Sequence, residues 1–202
     1  IDLEIAELRM YQEQAKSIVN ETKAKQLLVA LEKTFHKNEM LGAPKKALIF
    51  TESRRTQEYL KSFLQNNGYK EKVVCFNGSN NDDDSKSIYR KWLSLYAGSK
   101  RISGRTIIDR KQALVDHFRT DAEIMIATES GAEGINLQFC SLLVNYDMPW
   151  NPQRIEQRIG RCHRYGQKFD VVVVNFVNQL NYADCRVYEL LNEKFNLFEG
   201  VF

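Results

Sequence analysis

Arg154, Gln157, Arg161 and Arg164 recur at intervals of three, four and three residues, a spacing that lines them along one stripe of a helix. Arg158 lies beside that stripe, while Ile155, Ile159 and Cys162 fall on a different face and are expected to pack against a sheet. Every cation on the stripe is arginine, and a guanidinium offers a planar fork of donors that matches phosphate oxygens. The chemistry this pattern points to is binding of an anion, phosphate first. The competing reading is a solvated basic face with no ligand. Gly160 weighs against it, because glycine inside a helix costs about 1 kcal/mol relative to alanine, and a close approach at that face would account for its presence.

Other candidates for chemistry are weaker. Cys75, Cys140, Cys162 and Cys185 are scattered without a C-x-x-C pair, and His36, His117 and His163 are equally dispersed, so zinc-ligand spacing is missing and no metal site is expected. The thiols are expected to be reduced and mostly buried. Asp82, Asp83 and Asp84 are consecutive; they point in different directions on any regular structure and read as a solvated turn or helix start. Trp150, just ahead of the arginines, either stacks on a base or packs in the core or an interface between lobes. Phe195, Phe198 and Phe202 read as docking residues.

The elements that must position the arginines follow from periodicity. Five apolar runs read as strands: Ala47–Phe50, Val73–Phe76, Ile124–Ala127, Leu142–Tyr146 and Val171–Val177. The first and third are nearly continuous, as expected of strands covered on both faces. Helices are expected at Arg54–Asn67, closed by Gly68, at Arg110–Phe118, after the Asn151-Pro152 start signal, and at Tyr182–Phe195. Alternating strand and helix implies a parallel sheet. Two further helices precede the first strand, one through Ile5, Leu8, Ile18 and Val19, the other through Leu27, Leu28, Leu31 and Phe35. Residues 1–44 therefore read as a helical lead-in and residues 45–202 as an α/β lobe.

A chain of 202 residues can bury a full core, and 43% hydrophobic with 27% charged residues excludes a disordered chain. The net charge of +3 is too small to argue for nucleic acid by itself. No apolar run approaches the roughly 20 residues that span a bilayer, and Ile1–Met10 lack the plan of a signal peptide. A cytoplasmic setting, prokaryotic cytosol or nucleus, is expected, with no membrane partner. No G-x-G-x-x-G follows the first strand, which disfavours a dinucleotide-binding enzyme.

The run from Gln157 to Arg164 fits the pattern Q-x-x-G-R-x-x-R and resembles motif VI of superfamily-two helicases. Met148 to Pro152 before it and Tyr165-Gly166-Gln167 after it look like the Swi/Snf branch. Ala127–Leu137 resembles motif V, Leu48–Ser53 resembles motif IV, and Phe76-Asn77-Gly78 matches the strand and glycine that follow. Together these cover most of residues 45–180. The resemblance implies a RecA-like parallel sheet sandwiched by helices, the second lobe of an ATP-driven motor acting on double-stranded DNA. It implies that Arg161 and Arg164 are arginine fingers that reach ATP held by the N-terminal RecA-like lobe, with Gln157 helping to position them. Gly134 and Asn136 would sit near the nucleotide, and Thr51, Thr128, Glu129 and Ser130 would face the nucleic-acid backbone. A strand-separating or restriction-type helicase lobe, and a standalone nucleic-acid-binding regulatory domain, remain as alternatives.

The sequence departs from the family in three places. Glu133 is unusual beside an anionic partner. No G-x-x-x-x-G-K-S/T occurs anywhere, so ATP and Mg²⁺ are expected in an intact two-lobe protein, the missing lobe preceding Ile1, and none bound or hydrolysed by this chain alone. Third, some two dozen extra residues occupy about 79–108. Their first part reads as a helix with Ile88, Trp92 and Leu95 inward, followed by a flexible loop in which Lys100, Arg101 and Arg105 are candidates for phosphate contact.

Overall fold

Strands that are apolar on both faces are stable only where helices cover both sides of the sheet, and that requirement organises this chain. The computed structural model describes residues 2–16 and 22–196. In order the elements are α1 (Asp2–Lys16), α2 (Thr22–Met40), β1 (Ala47–Thr51), α3 (Arg54–Asn66), β2 (Val73–Phe76), α4 (Asp83–Leu95), α5 (Thr106–Thr120), β3 (Ile124–Thr128), β4 (Leu142–Asn145), α6 (Pro152–Cys162), β5 (Val172–Asn175) and α7 (Tyr182–Asn196). The side chains of Ile18, Val19, Phe195, Phe198 and Phe202 lie outside the described residues.

The five strands form one parallel sheet in the order β2-β3-β1-β4-β5. β1 lies at its centre, with Thr51 opposite Thr128 of β3 and Phe50 opposite Asn145 of β4. One face is covered by Leu27, Leu31 and Phe35 of α2 with Leu60 and Leu64 of α3. The other is covered by Leu114, Val115 and Phe118 of α5, with Ile88 and Cys162 joining them. This is a RecA-like α/β sandwich.

Several boundaries differ from expectation for identifiable reasons. β5 is shorter than the valine run because it is an edge strand: past Asn175 only Phe176 N–H still bonds across, to the Asn145 carbonyl. α5 starts four residues early. The Asp109 carboxylate turns back and accepts from Ser103 N, Ser103 Oγ and Gly104 N at 2.9, 2.6 and 3.1 Å, which closes the loop onto the helix start. Asp82 caps α4, accepting from Ser85 N and Ser85 Oγ at 2.9 and 2.7 Å, so the acidic triplet is a helix start.

The extra segment is built onto the lobe rather than hanging from it. Trp92 is buried as expected, and its indole N–H donates to Asp116 at 2.8 Å. Leu95 corrects the inward assignment: it is the last residue of α4, which packs on α5 through Trp92, and it is 74% exposed. Arg101 also bonds Asp116, at 2.8 Å, and its guanidinium stacks over Tyr96.

Candidate nucleotide and nucleic-acid site

α6 begins as its sequence dictates. Asn151 Oδ1 accepts from Gln153 N at 2.9 Å and Pro152 takes the first turn, where its missing N–H costs nothing. Ile155 is fully buried and packs, with Ile159, against Val187 and Leu191 of α7; only Cys162 reaches the sheet cluster. The apolar face of α6 thus meets a helix more than a sheet. Fixed on that side, α6 turns its arginines toward the C-terminal ends of the strands, where open α/β sheets place ligands.

There the chain forms a cleft of about 400 Å³ lined by Phe50, Glu129, Ser130, Ala132, Glu133, Arg154, Gln157, Arg158 and Arg161. The side chains of Arg154 and Arg161 make no hydrogen bond or ion pair with any other described residue. Two unneutralised guanidiniums at one cleft are positioned for an anion. Carboxylates are few: Glu133 stands exposed, and Glu129 is engaged. The donors this cleft presents are guanidinium N–H groups, which fit phosphate oxygens; no group of three His, Cys, Asp or Glu that would hold a metal occurs among the described residues.

Arg158 differs from its neighbours in kind. It is 2% exposed, the largest fully buried side chain among the described residues. Its Nε and Nη2 donate to Glu129 Oε2 at 2.9 and 2.6 Å, and its Nη1 donates to Asn145 Oδ1 at 2.8 Å and the Asp147 carbonyl at 3.0 Å. The guanidinium lies over the Phe50 ring, 4.7 Å from its centroid. Burial pulls its pKa down from the ordinary arginine value while Glu129 pushes it back, and it stays a cation.

The structure moves several expected residues. Arg164 falls beyond the end of α6, since the helix stops at Cys162; from there its Nε donates back to the Gly160 carbonyl at 3.0 Å, and the side chain remains exposed. Gln157 is exposed at the cleft, beside Arg154 and Arg161. Thr51 is fully buried and its hydroxyl donates to Asp147 Oδ2 at 2.7 Å, so it offers no surface to a partner. Thr128 is likewise buried, with its hydroxyl unpaired. Of the loop after β3, Ser130 is exposed at the cleft, whereas Glu129 turns inward to Arg158. Gly134, at φ +80°, and Asn136 are exposed but do not line this cleft; Asn136 lines a separate hollow of about 490 Å³ with Arg119, Phe139 and Gly166. Lys100 and Arg105 are exposed, and Arg101 is held on Asp116. Trp150 is 79% exposed, which removes the core-packing reading.

Sequence reasoning missed the residues that hold the strand tips. Asp147 accepts from Thr51 Oγ1, Glu52 N and Lys23 Nζ at 2.7, 3.1 and 3.1 Å. Burial alone would raise its carboxyl pKa, but those donors outweigh it and hold it below the ordinary range. Gln57 donates to the Phe76 and Ile126 carbonyls at 3.2 and 2.7 Å, tying β2 to β3. The available signal was a polar residue closing an apolar strand, as Asn145 does. Gly131 is the close approach in this region: a Cβ there would stand 2.6 Å from Asn77 Cα.

Gly160 does not answer to a close approach within the chain, since a Cβ there would meet nothing within 4 Å. Gly160→Ala is therefore expected to stabilise the isolated lobe by up to about 1 kcal/mol, the helix-propensity difference. Denaturant unfolding checks this, and a loss of stability would contradict it.

The sheet order, the arginine helix beside the strand tips and the loop after β3 define a RecA-like α/β lobe. The chain belongs to the helicase conserved C-terminal domain family, whose profile matches residues 22–166. It is 43% identical over 156 residues to the uncharacterized ATP-dependent helicase YqhH of Bacillus subtilis, covering 77% of this chain and 23% of that protein. It is 32% identical over 137 residues to the helicase SWR1 of Saccharomyces cerevisiae, covering 66% of this chain and 7% of that protein. The chain thus spans less than a quarter of either relative. Among solved structures, the C-terminal part of the Fun30 ATPase domain matches with a TM-score of 0.57 at 21% identity, covering 94% of this chain and 54% of that one. The C-terminal domain of the DEAD-box protein Dbp5 matches at 0.54 and 22% identity, covering 87% and 80%. No described helix is long and apolar enough to cross a membrane.

Proposed function

We propose that this chain is the second lobe of a Swi/Snf-type, ATP-driven translocase on double-stranded DNA, and that Arg161 and Arg164 are its arginine fingers. The observation that carries this is the pair of unpaired guanidiniums, Arg154 and Arg161, at the strand-tip cleft. The likeness to the helicases YqhH and SWR1 supports ATP dependence. Bound on a partner lobe with Mg²⁺, ATP supplies the γ-phosphoryl group that is transferred to water. From this chain, Arg161 brings a guanidinium whose fork fits the equatorial oxygens, and Gln157, one turn away on α6, holds its orientation. Arg164 joins from just past the helix end, where its backward bond to the Gly160 carbonyl must open. Ser130 is the cleft residue free to meet a nucleic-acid backbone, and Lys100 and Arg105 add exposed cations from the segment before α5.

The intact protein is expected to hydrolyse ATP faster with duplex DNA and to displace a triplex-forming strand without separating the duplex. Strand separation without triplex displacement would favour the helicase alternative. This chain alone, lacking the phosphate-binding loop sequence, is expected to give no ATP turnover with or without DNA in a phosphate-release assay. Turnover that Arg161→Ala abolishes would contradict that expectation.

A further inference from the structure

The buried guanidinium of Arg158 touches four separate pieces of chain at once. It meets the ring of Phe50 at the end of β1, the carboxylate of Glu129 after β3, the side chain of Asn145 at the end of β4, and the carbonyl of Asp147 in the loop leading to α6. Asn145 in turn donates to Asn175 Oδ1 at 2.7 Å, extending the tie to β5. Arg158 stands one helical turn from both Arg154 and Arg161. Glu129 immediately precedes Ser130. Beside the backbone bond that Leu137 N–H donates to the Arg161 carbonyl at 2.9 Å, the ion pair is a side-chain tie between the loop after β3 and α6, and it is made by the largest fully buried side chain among the described residues.

We infer that Glu129 and Arg158 are positioning residues: Glu129 touches neither nucleotide nor nucleic acid but, through Arg158, fixes where α6 presents Arg161. This rests on the finger reading of Arg161 and reverses the role the resemblance implied for Glu129. A carboxylate facing a nucleic-acid backbone would repel it, whereas one that takes both Nε and Nη2 of a buried arginine has its charge answered inside the fold. The arrangement also explains why one of the arginines of α6 is spent internally. α6 is also held by Ile155 and Ile159 on α7 and by the Leu137 N–H bond to the Arg161 carbonyl; Arg158 adds a tie on the arginine side, between Arg154 and Arg161, where a displacement on the order of 1 Å costs a reaction about 10²-fold.

The test uses the intact protein and four variants: Glu129→Gln, Glu129→Asp, Arg161→Ala, and Glu129→Gln combined with Arg161→Ala. Glu129→Gln keeps the shape and an acceptor oxygen but removes the charge; Glu129→Asp keeps the charge on a shorter arm and serves if the glutamine variant fails to fold. Thermal unfolding confirms that each variant is folded. DNA-stimulated kcat is expected to fall at least tenfold in either Glu129 variant, with KM for ATP within about twofold. The slope of log DNA affinity against log salt is expected to stay at the wild-type value, since a lost phosphate contact would lower it by about 0.9. Adding Arg161→Ala is expected to cost much less in the Glu129→Gln background than alone, the signature of groups that act as a unit. An unchanged kcat in a folded Glu129 variant, fully multiplicative losses in the double variant, or a salt slope shifted by about one contact would each overturn the inference. Failure of Arg161→Ala alone to reduce turnover would instead strike the finger reading, so the two are told apart.

Discussion

Replacing Arg161 by alanine in the intact protein is expected to lower DNA-stimulated ATP turnover by a factor on the order of 10³–10⁵, the range associated with a trans-supplied arginine in phosphoryl transfer. The reason lies in what Arg161 does in this lobe, which is nothing structural. Its side chain lines the cleft, has no partner among the described residues, and sits on a helix anchored by other side chains. Arg161 is half-buried and truncating it removes no hydrogen bond or ion pair, so the lobe should lose little stability and nucleotide binding should be far less affected than turnover. Arg161→Lys should not restore the rate, because an ammonium is a point charge without the planar fork. Single-turnover hydrolysis measured beside nucleotide binding separates the effects. Near-normal rates in the lysine variant would contradict the assignment.

Arg158→Ala is expected to act the opposite way, destabilising the lobe by about 3–5 kcal/mol, the cost of breaking a buried pair by removing one partner. Alanine strips donors from Asn145 Oδ1, the Asp147 carbonyl and Glu129, and leaves a cavity over the Phe50 ring. The loss should fall toward the lower end, because the Glu129 side chain is 33% exposed and water can reach it. Glu129→Gln should cost much less than Arg158→Ala. Chemical denaturation of the two variants beside wild type gives both numbers, and a loss below about 1 kcal/mol for Arg158→Ala would show that the buried network carries little of the fold's stability. The two arginines, three residues apart, thus divide into one buried in a network of bonds and one that lines the cleft without a side-chain partner among the described residues.

That division was not legible in the sequence. Periodicity placed Arg154, Gln157 and Arg161 on one stripe and Arg158 beside it, and the structure keeps that angular relation. What periodicity lacks is the partner: Phe50 and Asn145 come from two strands and Glu129 from the loop after a third, and they meet only when the sheet is assembled. Arg164 shows the same limit at a helix end, since a stripe drawn on a helical wheel assumes a helix that here stops at Cys162. The fold itself was readable. β1 and β3 announced themselves as unbroken apolar runs, and Asn151-Pro152 marked the start of α6 to the residue. The segment before α5 was the least readable part. Its glycines read as flexibility, yet Asp109 and Asp116 reach back from α5 to fasten it, pairings set by tertiary contact rather than by local pattern.

The most direct measurement of the central claim is a structure of the intact protein bound to duplex DNA and to ADP with aluminium fluoride, a mimic of the transferring phosphoryl group. The account predicts Arg161 of this lobe within hydrogen-bonding distance, about 2.7–3.1 Å, of the fluoride ligands, with Arg158 still on Glu129. An Arg161 side chain turned to the DNA or left in solvent, with another residue occupying that position, would contradict it.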